Sequence, residues 1–391
     1  MMGSEWEPRS SIHADSPSDD DRDVSALRQL RGSLVDPTGL QATAPSRQLV
    51  YPCGVPPAPG VAREVAPGVA WLRMPIAGDP AHINLWAVRD GEDWDVVDTG
   101  MHTPQASAAW EKLAGPEGPF GMRGPRRAFV THMHPDHIGM AGWLARRYDT
   151  TLWMTRGEYL SSRVLVGDTS EAVIDEGVRF YRRAGWDTQA IERYRLSAGN
   201  LRKIVAPLPV SYRRLRDGEC VTIGGKRWRV VVGSGHSPEH ACFYCAELGV
   251  FISGDQVLPL ISSNVSVSPM EPAADPLAEW LSSIEKIGQS VPANVLVLPA
   301  HGEPFHGLHE RLARLATGRQ RTLDRLRKLL TGEPRRAIDV FATLFSRDVD
   351  TDPFLLKLAT GESLAYLNHL VRRGEVRVTD DSHGVAWYRL C

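Results

Sequence analysis

Residues 131–139 of the chain read Thr131-His132-Met133-His134-Pro135-Asp136-His137-Ile138-Gly139 and contain three histidines and one aspartate within six positions. This stretch follows an apolar run typical of a strand and precedes a run with helical spacing. Residues two apart at a strand end face the same way, so His132 and His134 can converge on one metal ion. Asp136 and His137 lie where the chain turns into the helix, and they can face a second ion. Imidazoles with a carboxylate suit zinc, and also iron or manganese. A helix cap by Asp136 would explain only one of these four residues.

Three further candidate ligands lie later in the chain, and they are His236, Asp255 and His301. Each stands in a loop directly after a short apolar run that predicts a buried strand, and functional residues tend to gather in such loops. Any one of them alone would more often be a cap or turn residue. All three together, added to the first cluster, favour a metal site.

With these motifs the sequence resembles the metallo-β-lactamase fold superfamily, most nearly its glyoxalase II-like and lactonase-like hydrolases, over roughly residues 60–305. The resemblance implies an α/β fold, an αββα sandwich with the metals at one edge of the sheets. It also implies that Asp98, in Val97-Asp98-Thr99-Gly100, supports the site from behind the ligands. The ligand set that it implies is His132, His134 and His236 for one metal, Asp136, His137 and His301 for the other, and Asp255 as the bridge.

The chemistry expected of such a site is hydrolysis. The expected cofactor is a pair of divalent metal ions, and this ligand set favours Zn²⁺. Two such ions lower the pKa of a shared water and generate a metal-bound hydroxide. The hydroxide attacks the carbonyl of a small substrate, and the metals stabilise the oxyanion that develops. Asp136 is the expected catalytic residue, orienting the nucleophile and passing a proton to the leaving group. The predicted substrate is a thioester, a lactone or another ester.

Two other functions stay open at this point. The first is a metal-dependent nuclease or phosphodiesterase that binds nucleic acid through its C-terminal domain, for which salt-sensitive binding would be the sign. The second is a non-enzymatic regulator that binds DNA and only senses metal. The complete ligand set argues against the regulator, and the near-neutral charge makes nucleic acid a less favoured partner than a small molecule.

Composition sets the domain organisation. The chain has 391 residues, 42% of them hydrophobic and 24% charged, with a net charge of -2. That length predicts two or three domains. We expect a disordered tail at 1–45, a catalytic domain at 46–306 with a helical insertion at about 157–200, and a C-terminal domain at 307–391. The polar start has no apolar leader and no apolar run is long enough for a membrane span, so we expect a cytoplasmic protein that does not bind membranes.

The apolar pattern predicts the secondary structure. Residues 50–68 are interpreted as an extended lead-in, and one helix is expected to run from the metal motif through Arg147. Further helices are predicted at 104–114, Leu277–Ile287 and Gly361–Arg373. The predicted strands are Val69–Met74, Ile83–Val88, Trp94–Val97, Arg127–Thr131, Cys220–Ile223, Trp228–Val232, Ala241–Ala246, Val250–Ser253, Val295–Leu298, Val376–Thr379 and Val385–Leu390.

The C-terminal region predicts helices followed by a hairpin, which is the order of a winged helix. Residues 311–336 carry nine Lys and Arg residues and only two acids. Such a basic face can contact phosphates, although it is more often solvated with its stems packed on apolar surface. The domain could serve in homodimerisation, as a support for a lid, or as a reader of nucleic acid, and we rank these roles in that order.

Three features depart from the family pattern or lack a role. Glu239 stands where many relatives have Gly, the helical block at 157–200 is long, and the segment 258–267 has no role that chemistry suggests. His240 is expected to be structural and to hold a ligand loop. Asn264, Tyr181 and Trp186 are weaker candidates for lining the substrate pocket.

Overall fold

The computed structural model describes residues 48–76, 81–345, 349 and 352–391. The tail predicted at 1–45 lies outside these residues. The strands are β1 Arg63–Ala66, β2 Val69–Pro75, β3 His82–Asp90, β4 Asp93–Val97, β5 Arg127–Phe129, β6 Thr151–Met154, β7 Arg213–Arg214, β8 Cys220–Ile223, β9 Lys226–Gly233, β10 His240–Cys245, β11 Val250–Gly254, β12 Leu296–Pro299, β13 Val376–Asp380 and β14 Ala386–Leu390.

The helices lie between the strands along the chain. They are α1 Pro104–Leu113, α2 Pro135–Ile138, α3 Ala141–Tyr148, α4 Arg156–Gly167, α5 Glu171–Arg183, α6 Thr188–Ser197, α7 Leu201–Ile204, α8 Pro276–Ser290, α9 Leu308–Leu330, α10 Phe341–Leu344 and α11 Pro353–Arg372, with a 3₁₀ turn at Ile338–Val340 before α10.

The strands form two large sheets and one hairpin. The first sheet has seven strands in the order β1 to β7, antiparallel up to β4 and parallel from β4 to β7. The second has five strands in the order β12-β11-β10-β9-β8, with only β11 and β12 parallel. Strands β13 and β14 form the hairpin.

The two sheets pack face to face over an aromatic core. Trp71 and Trp86 are directly paired across β2 and β3, and their ring centroids are 6.1 Å apart. Phe129 from the first sheet meets Phe243 from the second in an edge-on contact, with centroids 5.8 Å apart. Burying each of these rings stabilises the fold by roughly 1.5–3 kcal/mol. These strands are therefore apolar on both faces, since helices cover their outer sides.

The outer layers complete an αββα sandwich, as the sequence predicts. Trp110 of α1 and Leu144 of α3 pack on the outer face of the first sheet. Trp280 of α8 and Leu326 of α9 belong to the core on the outer face of the second sheet. The same core continues into α11 and the β13–β14 hairpin, so the C-terminal helices extend one layer of the sandwich.

Several predicted boundaries were wrong. The helix expected from the metal motif through Arg147 is interrupted, because the Met140 amide donates to the Gly100 carbonyl instead of continuing the helix. The lead-in at 50–68 contains β1, which pairs with β2. Strand β6 was missed, although it lies between β5 and β7 in the first sheet. The last helix starts at Pro353, eight residues before its predicted start, with Asp352 as its N-cap.

The predicted helical insertion comprises α4 to α7, and part of it packs on the C-terminal helices. Tyr181 and Trp186 stack with ring centroids 4.2 Å apart, inside a cluster that includes Leu356 of α11. The Trp186 indole donates from Nε1 to Thr360 Oγ1 over 2.8 Å. Tyr181 and Trp186 are therefore core residues, which is the more common role of aromatic residues at helical spacing, and the weaker interpretation as pocket-lining residues does not apply to them.

Several arginines of the basic stretch at 311–336 are paired with acids that lie outside it in the sequence. Arg319 is buried and bonds to Glu362. Arg327 contacts Glu375, with its Nε 2.6 Å from the carboxylate. Arg336 pairs with Asp339 over 2.8 Å. The acids at 339, 362 and 375 lie outside the stretch in sequence, which is why its composition alone suggested an uncompensated basic face.

Among the described residues, we find no helix that is long and apolar enough to cross a membrane.

We predict that Trp186→Ala lowers the free energy of unfolding by about 3–5 kcal/mol, because it removes a buried ring shared by the insertion and α11. Urea titration followed by circular dichroism measures the loss. Leu196→Ala, at a residue of the same insertion that is 84% exposed, is the control and should change stability little. Equal effects of the two substitutions would contradict the packing described here.

Candidate metal centre

The carboxyl ends of several strands meet at one edge of the sandwich and deliver the site residues. Asp98 directly follows β4, and the motif that begins at Thr131 comes just after β5. In the second sheet, β9, β11 and β12 all run in one direction and lead into His236, Asp255 and His301. The two sheets are joined here, since the Ala241 amide donates to the Thr131 carbonyl over 2.8 Å.

One group of ligand atoms consists of His132, His134, His236 and Asp255, all within 4.8 Å of one another. His132 Nε2 lies 2.9 Å from His134 Nδ1 and 3.1 Å from His236 Nε2. Asp255 Oδ2 is 3.4 Å from His236 Nε2. Three imidazole nitrogens and one carboxylate oxygen thus face a common point, which is a donor set that a divalent cation takes.

A second group consists of Asp136, His137 and His301, again within 4.8 Å of one another. His301 Nε2 lies 3.3 Å from Asp136 Oδ2, and His137 Nε2 lies 3.8 Å from the same oxygen. All three residues are buried. This group is assembled from helix α2 and the loop after β12, which are far apart in the chain.

Asp255 lies between the two groups. Its Oδ2 is 3.6 Å from His137 Nε2, and its Oδ1 is 3.6 Å from His301 Nε2. With the Oδ2 contact to His236, this one carboxylate faces imidazoles of both groups. The structure therefore brings all seven sequence-predicted site residues together, with Asp255 in the central position.

The residues fit divalent cations by burial and by protonation. His137 Nε2, His301 Nε2 and Asp255 Oδ1 are buried without a hydrogen-bond partner among the described residues. Burial and the neighbouring imidazoles hold the pKa of His132 well below its usual range, which keeps its ring neutral and able to bind a metal. Burial also lowers the pKa of His134, to about 3. The sequence resemblance implies divalent ions, and these side chains can hold them.

Carboxylates around His137 oppose the effect of its burial. Burial lowers the pKa of His137, but the nearby Asp98, Asp255 and Asp136 together raise it well above its usual value. Burial likewise raises the pKa of Asp255, while His301 and His137 hold it well below its usual range. The site thus concentrates negative charge that a cation can balance.

Outer hydrogen bonds orient the histidines. His137 Nδ1 lies 2.8 Å from Asp98 Oδ2, and the Thr131 amide donates to Asp98 Oδ1, also over 2.8 Å. His236 donates from Nδ1 to the Asn264 carbonyl over 2.7 Å. His301 Nδ1 lies 3.2 Å from the His82 carbonyl. Such bonds fix which ring nitrogen faces the metal, so the support that the resemblance implied for Asp98 has a geometric basis.

His240 holds the loop of the central carboxylate. Its Nε2 accepts a hydrogen bond from the Asp255 amide over 3.1 Å. Burial lowers the pKa of His240 well below its usual value, so the ring is neutral and can accept that bond. The structural role expected of His240 from the sequence agrees with this contact.

Glu158 is a site residue that sequence analysis missed. Its carboxylate is fully buried and accepts from the Met133 amide over 2.9 Å, the Ser237 hydroxyl over 2.6 Å and the Glu239 amide over 2.8 Å. It therefore ties the His132–His134 turn to the His236 loop. No spacing signals this role, because Glu158 opens a helix between the two loops that it joins. Burial raises the pKa of Glu158 to about 7, against these three hydrogen bonds.

Glu239 explains one departure from the family pattern. Its side chain accepts from the Gly157 amide over 2.8 Å, while its own amide donates to Glu158. A residue with a carboxylate at this position thus anchors the start of the helical insertion beside the metal loops.

Comparison with known proteins supplies independent evidence. The family model described as the metallo-beta-lactamase superfamily matches residues 78–332, and that of the metallo-beta-lactamase-like C-terminal domain matches 323–391. A solved beta-lactamase domain protein of Burkholderia ambifaria is 38% identical with a TM-score of 0.80, covering 88% of this chain and 98% of that one. An acyl-coenzyme A thioesterase of Gallus gallus is 27% identical over 64% of this chain and 82% of its own length. An atrochrysone carboxyl ACP thioesterase of Aspergillus fumigatus is also 27% identical, over 62% of this chain and 43% of its own length.

We predict that Glu158→Ala weakens metal binding by about 10–100-fold, because it frees both ligand loops from their common anchor. It should also lower the free energy of unfolding by about 2–4 kcal/mol, since three buried donors lose their acceptor. Competition with a chromophoric chelator and urea unfolding measure the two effects. Glu192→Ala, on an exposed residue of the insertion, is the control. Unchanged metal affinity in a folded Glu158→Ala protein would show that the anchor is irrelevant to the site.

Proposed function

Since the chain is a hydrolase that belongs to the metallo-β-lactamase superfamily, we propose that it hydrolyses acyl thioesters at a centre of two divalent metal ions. The observation that carries the proposal is the meeting of seven ligand side chains from four strand ends, in two groups that share Asp255. The thioesterase names of the two curated relatives support the choice of substrate class.

In this proposal each group of side chains holds one ion. His132, His134 and His236 would hold the first, Asp136, His137 and His301 would hold the second, and Asp255, which lies between the groups, could serve both. Five imidazoles and two carboxylates form a nitrogen-rich set, which favours Zn²⁺, with iron or manganese as the other candidates. When bound, such ions would lower the pKa of a water to about 7 and would polarise an acyl carbonyl.

The reaction adds water to the acyl carbon and breaks the carbon–sulfur bond, which gives a carboxylic acid and a thiol. Asp136 lies in the second group, 3.3 Å from His301 through its Oδ2, where its carboxylate can accept a proton from the water. It can then return that proton to the leaving sulfur. Glu158 and Asp98 hold the loops and rings in place and do not contact the substrate in this scheme.

A thioester suits these residues better than an ordinary ester does. A thiol leaving group has a pKa near 8.5, as cysteine has, so the sulfur departs as a thiolate with little help from an acid. Asp136 is the acid–base group of the site in this scheme. Water is the nucleophile, so the reaction needs no serine or cysteine side chain. A substrate with a good leaving group therefore matches a centre whose strength lies in activating water.

A nucleic-acid substrate stays the alternative prediction, and the paired arginines of α9 and the turn after it do not favour it. Arg319, Arg327 and Arg336 already contact acids of the chain. Phosphate binding would have to displace those partners at these positions.

We predict that Asp255→Ala removes most of the bound metal and lowers hydrolysis by at least about 100-fold, because Asp255 faces both groups. His134→Ala should also remove most of the metal and nearly all hydrolysis, through the first group. Elemental analysis of purified protein and a thiol-release assay measure the two effects. Asp324→Ala, on an exposed acid of α9, serves as the control. Wild-type turnover with full metal content in either ligand variant would overturn the ligand assignment.

The substrate class is tested by a screen of acyl thioesters, lactones, aryl esters, β-lactams and phosphodiesters. We expect the highest kcat/KM for a thioester, and we expect a chelator to abolish that activity and added metal to restore it. A preference for phosphodiesters, together with salt-sensitive binding of RNA or DNA, would favour the nuclease alternative. We also propose that the helical insertion at about 157–200 governs substrate choice, so exchanging it should change the preferred acyl group, and an unchanged substrate profile would refute this.

A further inference from the structure

The segment 258–267, which had no role from sequence, lies directly beside the candidate metal centre. The carbonyl of Asn264 accepts the Nδ1–H of His236 over 2.7 Å. The hydroxyl of Ser263 donates to the carbonyl of Asp255. Two neighbouring residues of this segment therefore contact two different candidate ligands. Asn264 contacts the ring of His236, and Ser263 contacts the backbone of Asp255.

The other side of the segment is held by the C-terminal helices. Asn264 donates from Nδ2 to Glu362 Oε2 over 2.8 Å. Arg319 donates from Nη2 to the Ser263 carbonyl over 2.5 Å and from Nη1 to Glu362 Oε1. The Val267 amide adds a backbone bond of 3.0 Å to the Gly361 carbonyl. Ser263 and Asn264, which contact the ligands, are thus hydrogen-bonded to one arginine of α9 and one glutamate of α11.

The Arg319–Glu362 pair is deeply buried and precisely directed. Arg319 is 5% exposed and Glu362 is 6% exposed. The guanidinium also bonds to Tyr366 Oη over 2.8 Å and lies over the rings of Trp280 and Tyr366. These contacts hold the two side chains in the orientation that meets residues 263 and 264.

Stability alone does not account for this pair. Removing two charges from water is costly, and well-packed apolar residues of similar volume usually give equal or greater stability than a buried ion pair. What an apolar pair cannot supply is a set of directed hydrogen bonds to the backbone of Ser263 and the amide of Asn264. The specific consequence of having Arg319 and Glu362 here is a fixed position for the chain that orients His236 and Asp255.

We propose that Arg319 and Glu362 are positioning residues of the metal centre, acting through Ser263 and Asn264 on His236 and Asp255. The proposal rests on the metal site of the proposed function. It makes the C-terminal helices part of the support of the centre, so that the affinity for metal depends on residues of α9 and α11.

The test replaces the pair by apolar residues in the full-length protein, as Arg319→Met with Glu362→Leu. The dissociation constant of Zn²⁺ is measured on metal-stripped protein by competition with a chromophoric chelator. We expect binding to weaken by about 10–100-fold, with a changed visible spectrum of the Co²⁺-saturated protein. Arg327→Met with Glu375→Leu is the matched control, because it removes an ion pair of the same helix that has no contact with 258–267. We expect the control to bind Zn²⁺ as the parent does.

A milder variant covers the case in which the double substitution does not fold. Asn264→Ala keeps the ion pair and the carbonyl that receives His236, but removes the link to Glu362, and we expect about 10-fold weaker Zn²⁺ binding. Parental affinity and an unchanged Co²⁺ spectrum in a folded variant would overturn the positioning role while leaving the proposed function intact. A parent protein that binds no Zn²⁺ would instead overturn the proposed function, and this inference with it.

Discussion

The structure depends on the charge balance around a buried carboxylate, that of Asp255. Its oxygens face the rings of His137, His236 and His301, and two more buried carboxylates, those of Asp98 and Asp136, lie close by. Desolvating such groups is costly unless opposite charge compensates them. The surrounding carboxylates raise the pKa of His137 despite its burial, which favours a proton, and so part of that opposite charge, on its ring. Divalent cations would supply more, and they would take the place of the proton.

The fold brings these charged side chains together because the carboxyl ends of strands from both sheets lie at one edge of the sandwich. Apolar strands buried on both faces fix the positions of the loops, and the ligands sit on the first residues after each strand. The loops themselves are tied by polar side chains that are not among the seven candidate ligands, namely Asp98, Glu158 and His240. The C-terminal helices continue this arrangement through the segment 258–267. The positions of the ligand loops therefore depend on the sandwich and, in our proposal, also on its C-terminal extension.

The ligands could be predicted from sequence because each lies directly after a strand, and the spacing in His132, His134, Asp136 and His137 is local. The supports could not, because they join loops that are distant in sequence. Glu158 meets residues 133, 237 and 239, and Arg319 meets 263 and 362. The spacing of Tyr181 and Trp186 favours a core position, but helical periodicity does not tell which neighbour a face will meet, and that neighbour is α11. The interrupted helix after the metal motif depends on one backbone bond to Gly100, which no local pattern reveals.

The most direct test of the central claim is a crystal structure of the metal-loaded protein with anomalous diffraction recorded at the zinc edge. The account predicts two peaks about 3.5–4 Å apart, one among His132, His134 and His236 and one among Asp136, His137 and His301, with Asp255 contacting both. Peaks elsewhere on the protein, or none beside Asp255 in fully loaded crystals, would contradict it.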